Sequence, residues 1–259
     1  MAGGAVAGSG AVLDEVAAAR AWAEASLVTR SGCQYAGDRR RQPVALLQAG
    51  SAAVPGGLDL AALRASCREL IVNAVDDDSP VTRAVLGAWP GAAPCALGDL
   101  RTVPLLPRSY DLVDCCLLLQ RIQHAELVLD RIVEALRPGG LLLLRTGDRD
   151  CAAGFLDRVL PLWARRAGWR FRRPGQPGPY PAVYEELASA RGIQSYVARR
   201  GLVVVRRETL SGSAAGRRRA GPFSARSLAA RLSRGRLTAA HDELVYVIRR
   251  PEDRSARVL

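Results

Sequence analysis

The chain has 259 residues and carries 37 basic side chains, all arginine, against 25 acids, for a formal charge of +12. That length suits one large domain with an appendage or two small domains, and a composition 49% hydrophobic and 24% charged excludes a disordered, fibrous or collagenous chain. No apolar run approaches the roughly eighteen residues of a membrane span, and no basic region precedes an apolar stretch at the N-terminus, so a cytoplasmic location is expected.

In chain order, residues 1–42 open as a Gly/Ala-rich segment expected to be partly flexible and then helical. Val44–Ala49 reads as a buried strand, 58–65 as a helix, and 70–75 as a second strand running into Asp76, Asp77 and Asp78. Ser79 and Pro80 suit the cap and first residue of a helix extending to about Trp89. A short strand at 95–97 leads to Gly98 and Asp99, and 110–118 is the strongest central strand. A helix at 125–136 is ended by Pro138, Gly139 and Gly140, after which 141–145 is a strand apolar throughout, as expected when both faces are covered. Residues 152–166 read as one helix with Phe155, Val159, Leu162 and Trp163 on one face, followed by the Pro- and Arg-rich stretch 169–181. The runs 193–197 and 202–207 are too close for a crossover and predict an antiparallel hairpin. Residues 208–222 read as a linker, and 223–259 as a basic helical appendage packing Leu228, Leu232, Leu237, Leu244 and Val247 on the main domain.

Strands alternating with helices predict a doubly wound, mostly parallel α/β sheet, Rossmann-like, over residues 43–207, with an insertion at about 151–181. Charge divides along the chain: residues 1–150 carry 15 arginines against 17 acids, and 151–259 carry 22 against 8, a surplus of +14. Codon bias is an adequate cause of that arginine count, since lysine is absent throughout. The dispersal of the arginines over several elements argues against a nucleic-acid partner and for a local acidic substrate or partner. The six cysteines lack metal or redox spacing and read as reduced, mostly buried hydrophobes, with no metal expected.

Three punctuating motifs occur in order: Gly98-Asp99 after the third strand, Tyr110-Asp111-Leu112-Val113 opening the fourth, and Pro138-Gly139-Gly140 before the fifth. With the strand order, they make the region from about Pro43 to Arg207 resemble the class I S-adenosylmethionine-dependent methyltransferases, of the small-molecule type but with a degenerate glycine-rich loop. The resemblance implies S-adenosylmethionine as cofactor and a small-molecule acceptor, which can be anionic.

In an open α/β sheet a ligand sits beyond the carboxyl ends of the strands where strand order reverses. At the first such loop, only Gly50 and small neighbours such as Ser51 survive of the family's acid and alternating glycines. Gln48 stands where the acid is expected and can hydrogen-bond but brings no charge. By resemblance, Asp76 takes the ribose hydroxyls with Asp77 as second choice, and Asp99, after Gly98, faces the adenine amino group. Acids at a helix start are also favoured by its dipole without any ligand. Asp111 reads as a structural anchor for the loop before the fourth strand.

The sulfonium is already activated, so alignment and exclusion of water suffice for much of methyl transfer. His124 is the nearest base candidate, against a surface or capping role; His241 has no local partner pointing to catalysis. The interleaved arginines and aromatics of 169–181 fit a lid over a small-molecule pocket, a base-stacking surface or a solvated loop. A methyltransferase-like binding or regulatory protein, non-catalytic and using its basic C-terminal half, is the alternative to an enzyme. A nicotinamide fold is disfavoured because the 50–55 stretch lacks the second and third glycines.

Overall fold

A computed structural model describes residues 26–39, 42–50, 58–87, 95–172, 177–211, 225–233 and 236–252. Helix α1 (Leu27–Asp38) precedes β1 (Val44–Ala49), α2 (Leu60–Ser66), β2 (Leu70–Asp77), α3 (Pro80–Gly87), β3 (Cys95–Gly98) and β4 (Tyr110–Cys116). Next come α4 (Ala125–Ala135), β5 (Leu136–Gly147), α5 (Ala152–Val159), α6 (Leu162–Arg172), α7 (Ala190–Arg199), β6 (Val203–Leu210), α8 (Ala225–Leu232) and β7 (Glu243–Arg249). Side chains cap several starts: Ser26 accepts from the Thr29 amide, Asp59 from Ala61 and Ala62, Ser79 from Thr82 and Ser189 from Gly192.

The strands form one seven-stranded sheet in the order β3-β2-β1-β4-β5-β7-β6, parallel from β3 to β5 and antiparallel through β7 and β6. The expected doubly wound, mostly parallel Rossmann-like sheet is therefore present. Both faces are covered, so successive strand residues enter opposite cores. Leu47, Val113, Leu142, Leu144 and Tyr246 join the cluster with α4 and α7, while Leu46, Leu112, Leu143, Val245 and Val247 join that with α1 and α2.

Three expectations require correction. The predicted 193–197 strand is part of α7: Ile193, Tyr196 and Val197 recur at helical spacing, are buried together, and follow the Ser189 cap. The antiparallel pair at the end of the sheet is real, but its partner for β6 comes from the far end of the chain. Residues 243–249, expected in the helical appendage, form β7 between β5 and β6, with Leu244 and Val247 buried on opposite faces. Of that segment, Ala225–Leu232 is helical; Leu232 is exposed, and the side chain of Leu228 lies outside the described residues, as does most of the predicted linker. The predicted 152–166 helix is broken at Leu160-Pro161 into α5 and α6, because a proline lacks the amide that would continue the ladder.

The Pro138-Gly139-Gly140 turn is absorbed into the start of β5, where the register against β4 shifts between Tyr110 and Leu112. Gly139 has φ +78°, and a Cβ on Gly140 would lie 2.9 Å from the carbonyl oxygens of Arg137 and Asp111. Asp111 is the anchor expected of it: buried, it accepts from the Ala45 amide at 3.0 Å, Arg137 at 2.6 Å and Arg39 at 3.2 Å. Across the sheet, Arg145 of β5 donates through Nε to Glu243 of β7 at 2.7 Å, with both side chains buried.

Glu243→Ala strips Arg145 of that carboxylate and should lower stability by about 3–5 kcal/mol, the usual cost of breaking a buried pair from one side. Arg145→Met combined with Glu243→Leu should recover most of the loss in urea denaturation. A double variant no better than Glu243→Ala would show that the pair is not what holds β7 in place.

Candidate functional site

The crevice beyond the carboxyl ends of β1 and β4 lies where the sheet reverses direction, since β1 pairs with β2 on one side and β4 on the other. The chain leaves β1 through Gly50, at φ +97°, whose amide donates to the Val75 carbonyl at 3.0 Å. A Cβ there would stand 2.5 Å from the Cys116 carbonyl oxygen and 3.1 Å from Leu118 Cβ, so only glycine fits this turn. Ser51, predicted beside it, lies outside the described residues.

That bond places the turn next to Asp76, the following residue of β2. Asp76 is buried at 2% exposure and its Oδ1 accepts from the Asp77 amide at 2.7 Å and from the Arg121 guanidinium. Arg121 also reaches Asp77 at 3.1 Å and lies under the Tyr180 ring, 4.6 Å from its centroid. Its Nε is buried without a hydrogen-bond partner. Burial pushes the Asp76 carboxyl up to about 8 against the opposing pull of Arg121. Burial also raises Asp77, but Arg121 together with Asp76, Ser79 and Thr82 brings it below the usual carboxylate range.

Gln48 is buried on β1 and pairs in register with Asp114 of β4. The register puts Gln48, Asp114, Arg145 and Glu243 on the face covered by α1 and α2, near the carboxyl edge of the parallel strands. An acid therefore stands one strand away from where the sequence pattern lacks one. It escaped the sequence reading because Asp114 lies within an otherwise apolar strand. A charge there, on the same face as Gln48 two strands short of Glu243, was the available signal.

The other predicted residues are less gathered. Gly98 ends β3 in register with Asp77, and a Cβ on it would meet Val103 at 3.1 Å. Asp99 is exposed and held by Arg101 at 2.7–3.0 Å, which with the Arg101 amide brings its carboxyl down to about 2. His124 is exposed at φ +56°, and its backbone amide, with that of Ala125, donates to the Glu185 carboxylate at 2.7 and 2.9 Å. Its imidazole makes no capping bond. His241 does have a partner, remote in sequence: Nε2 lies 2.7 Å from Asp148 Oδ2, just beyond the end of β5. The sequence reading also passed over Arg121, the group that meets Asp76.

A strap from 177 to 188 closes this edge. The Val183 and Tyr184 amides donate to the Gln120 carbonyl at 2.9 and 3.0 Å, while Gln120 Oε1 accepts from the Gly147 amide. Arg165 of α6 binds the Tyr180 carbonyl at 2.5 Å and Asp157 at 2.8 Å, tying the strap to the helices behind it.

Burial pushes Asp114 up to about 7, opposed by Arg145, Gln48 and the Leu58 amide. A folded value above the unfolded one, about 3.9, means that the stability this group contributes is complete below about pH 4 and lost as pH rises through about 7. Asp114→Asn, which keeps an acceptor oxygen, should therefore stabilise the protein at about pH 8 relative to its effect at pH 5, by up to about 1.4 kcal/mol per pH unit. Urea unfolding across that range reads the difference, and a gap between parent and variant that does not change with pH would contradict it.

Residues 52–144 match the family model described as a methyltransferase domain. No curated protein matches the chain. Among solved structures, an S-adenosylmethionine-dependent methyltransferase from Mesorhizobium loti is similar at 15% identity, covering 86% of this chain and 98% of that one, with a TM-score of 0.49. The YcgJ protein of Bacillus subtilis is similar at 13% identity, covering 86% and 99%, with a TM-score of 0.45. Phosphoethanolamine N-methyltransferase 2 of Haemonchus contortus, solved with S-adenosyl-L-methionine, is similar at 14%, covering 86% and 53%, with a TM-score of 0.45. The family match lies on the segment that runs from just after the Gly50 turn into β5.

Proposed function

We propose that this chain transfers a methyl group from S-adenosylmethionine to a small-molecule acceptor bound under the 177–188 strap. The observation that carries the reading is the junction of Gly50 and Asp76: a turn that admits no side chain, bonded to β2 directly before a buried carboxylate. Asp76 takes the ribose hydroxyls, with Asp77 beside it. Gly50 and Ser51 let the backbone approach the cofactor, and Gln48, backed by Asp114, supplies a polar wall at the amino-acid end. Gly98 and Asp99 border the adenine side.

S-adenosylmethionine, when bound, supplies an electrophilic methyl on a sulfonium. The chain's own part is then to orient and to exclude water. The strap does the second through Tyr180 and the amides on Gln120, with helices α5 and α6 behind it. His124, at the edge of α4, is the base for an acceptor that must lose a proton. The surplus of arginine in the C-terminal half suits an acceptor bearing a carboxylate or phosphate. The remaining parts, the 1–42 segment, the 208–222 linker and the 223–259 portion, flank this 43–207 domain, with β7 completing its sheet.

A second reading has one observation in its favour: Arg121 already occupies Asp76, as in a non-catalytic protein whose cleft has closed on itself. Calorimetric titration with S-adenosylmethionine and its demethylated product separates the two. Saturation at 100 times Kd should add about 2.7 kcal/mol of stability, and Asp76→Ala should weaken binding by about 1.5–3 kcal/mol. No heat from either ligand, with Arg121→Ala binding where the parent does not, would establish the closed cleft instead.

A further inference from the structure

Helices α5 and α6 have a second face, turned away from the strap. The inner side of α6 is fixed by Arg165, bound to Asp157 and the Tyr180 carbonyl, and by Trp169, edge-on to Tyr180 with ring centroids 6.4 Å apart. With that side inward, Trp163, Ala167 and Phe171, spaced four apart, form an outward ridge. Trp163 is 74% and Phe171 91% exposed, and Val159, Leu160 and Leu162 at the α5–α6 corner are exposed too. Arg166 and Arg170 are exposed beside the ridge, and the helix sequence LWARRAGWRFR contains no acid.

Large aromatic side chains held out in water forfeit their burial, so a contiguous set of them marks a contact surface. Here they project rather than line a recess. A folded partner would have to offer matching cavities, whereas the boundary between headgroups and acyl chains yields to projecting rings. The flanking guanidinium groups fit lipid phosphate and carboxylate. We infer that the outer face of α5 and α6 docks on an anionic lipid bilayer, with Trp163 and Phe171 entering the headgroup boundary and Arg166 and Arg170 meeting anionic headgroups. The docking needs no membrane-crossing segment, and among the described residues no helix is long and apolar enough to cross. It is independent of the cofactor.

The test is co-sedimentation of the full chain with phosphatidylcholine vesicles with and without phosphatidylserine. Binding should require phosphatidylserine, weaken with salt and shift tryptophan emission to the blue. Trp163→Ser with Phe171→Ser should abolish the emission shift and reduce partitioning at least tenfold or so. Arg166→Gln with Arg170→Gln should reduce it roughly thirtyfold at low salt. All four positions face solvent, and thermal melts like the parent's would show that the variants fold. The inference is overturned by failure to bind these vesicles, or by binding that survives the ridge variant but is lost on changing Arg217, Arg218 and Arg219 to glutamine. It is equally overturned if sedimentation shows self-association that Trp163→Ser with Phe171→Ser removes while vesicle binding is absent, which would assign the face to a second copy of the chain.

Discussion

A charge buried beside a sheet covered on both faces must find its opposite there, because the cost of desolvation leaves an unpaired ion no place in the core. In this chain the pairs join elements remote in sequence. At the amino edge of β4, Asp111 gathers Arg39 from the end of α1 and Arg137 from the start of β5. At the carboxyl edge, Asp76 of β2 meets Arg121 from the loop after β4, and Arg145 of β5 meets Glu243 of β7. Each pairing is satisfied in one register, since a slip of one residue would turn the charge to the other face. The pairs therefore specify which strands lie side by side and in what register, whatever they contribute to net stability.

The same requirement shapes the cleft. Desolvation makes the Asp76 carboxylate at the end of β2 costly. Arg121 answers that cost in the free protein, and Tyr180 covers the guanidinium from the strap side. The Asp76 carboxylate is thus tied to how Arg121 is held, and Arg121 to the strap. On β1 the buried position holds the uncharged Gln48, and the neighbouring Asp114 of β4, whose carboxyl burial pushes up to about 7, lies near Arg145.

The core of the fold was legible because residues 44–147 alternate buried strands with amphipathic helices, each closed by a residue of defined conformational use, such as Gly50 or Ser79. Beyond Gly147 the pattern misled for physical reasons. Ile193 to Val197 is short enough to satisfy both periods, and only its packing against the sheet settled it as helix. Glu243 to Arg249 lacks polar alternation since it is covered on both faces, so its apolar residues could be fitted to a helical wheel; its partners, β5 and β6, are distant in sequence. Within the site, Gly50 and Asp76 were visible from their places after strands. The meeting of Arg121 with Asp76, 45 residues away, and of His241 with Asp148, 93 away, had no local signal.

Helix α6 makes contacts on its inner side and is exposed on its outer side. Arg165 holds the Tyr180 carbonyl, the Tyr180 ring lies over Arg121, and Arg121 holds Asp76, while the other side of the same helix presents Trp163 and Phe171, about two turns apart, to the outside. Side chains four apart on a helix move as one body, since the backbone between them is fully hydrogen-bonded. The break at Pro161, where α5 and α6 meet, interrupts the backbone hydrogen bonding between the two helices.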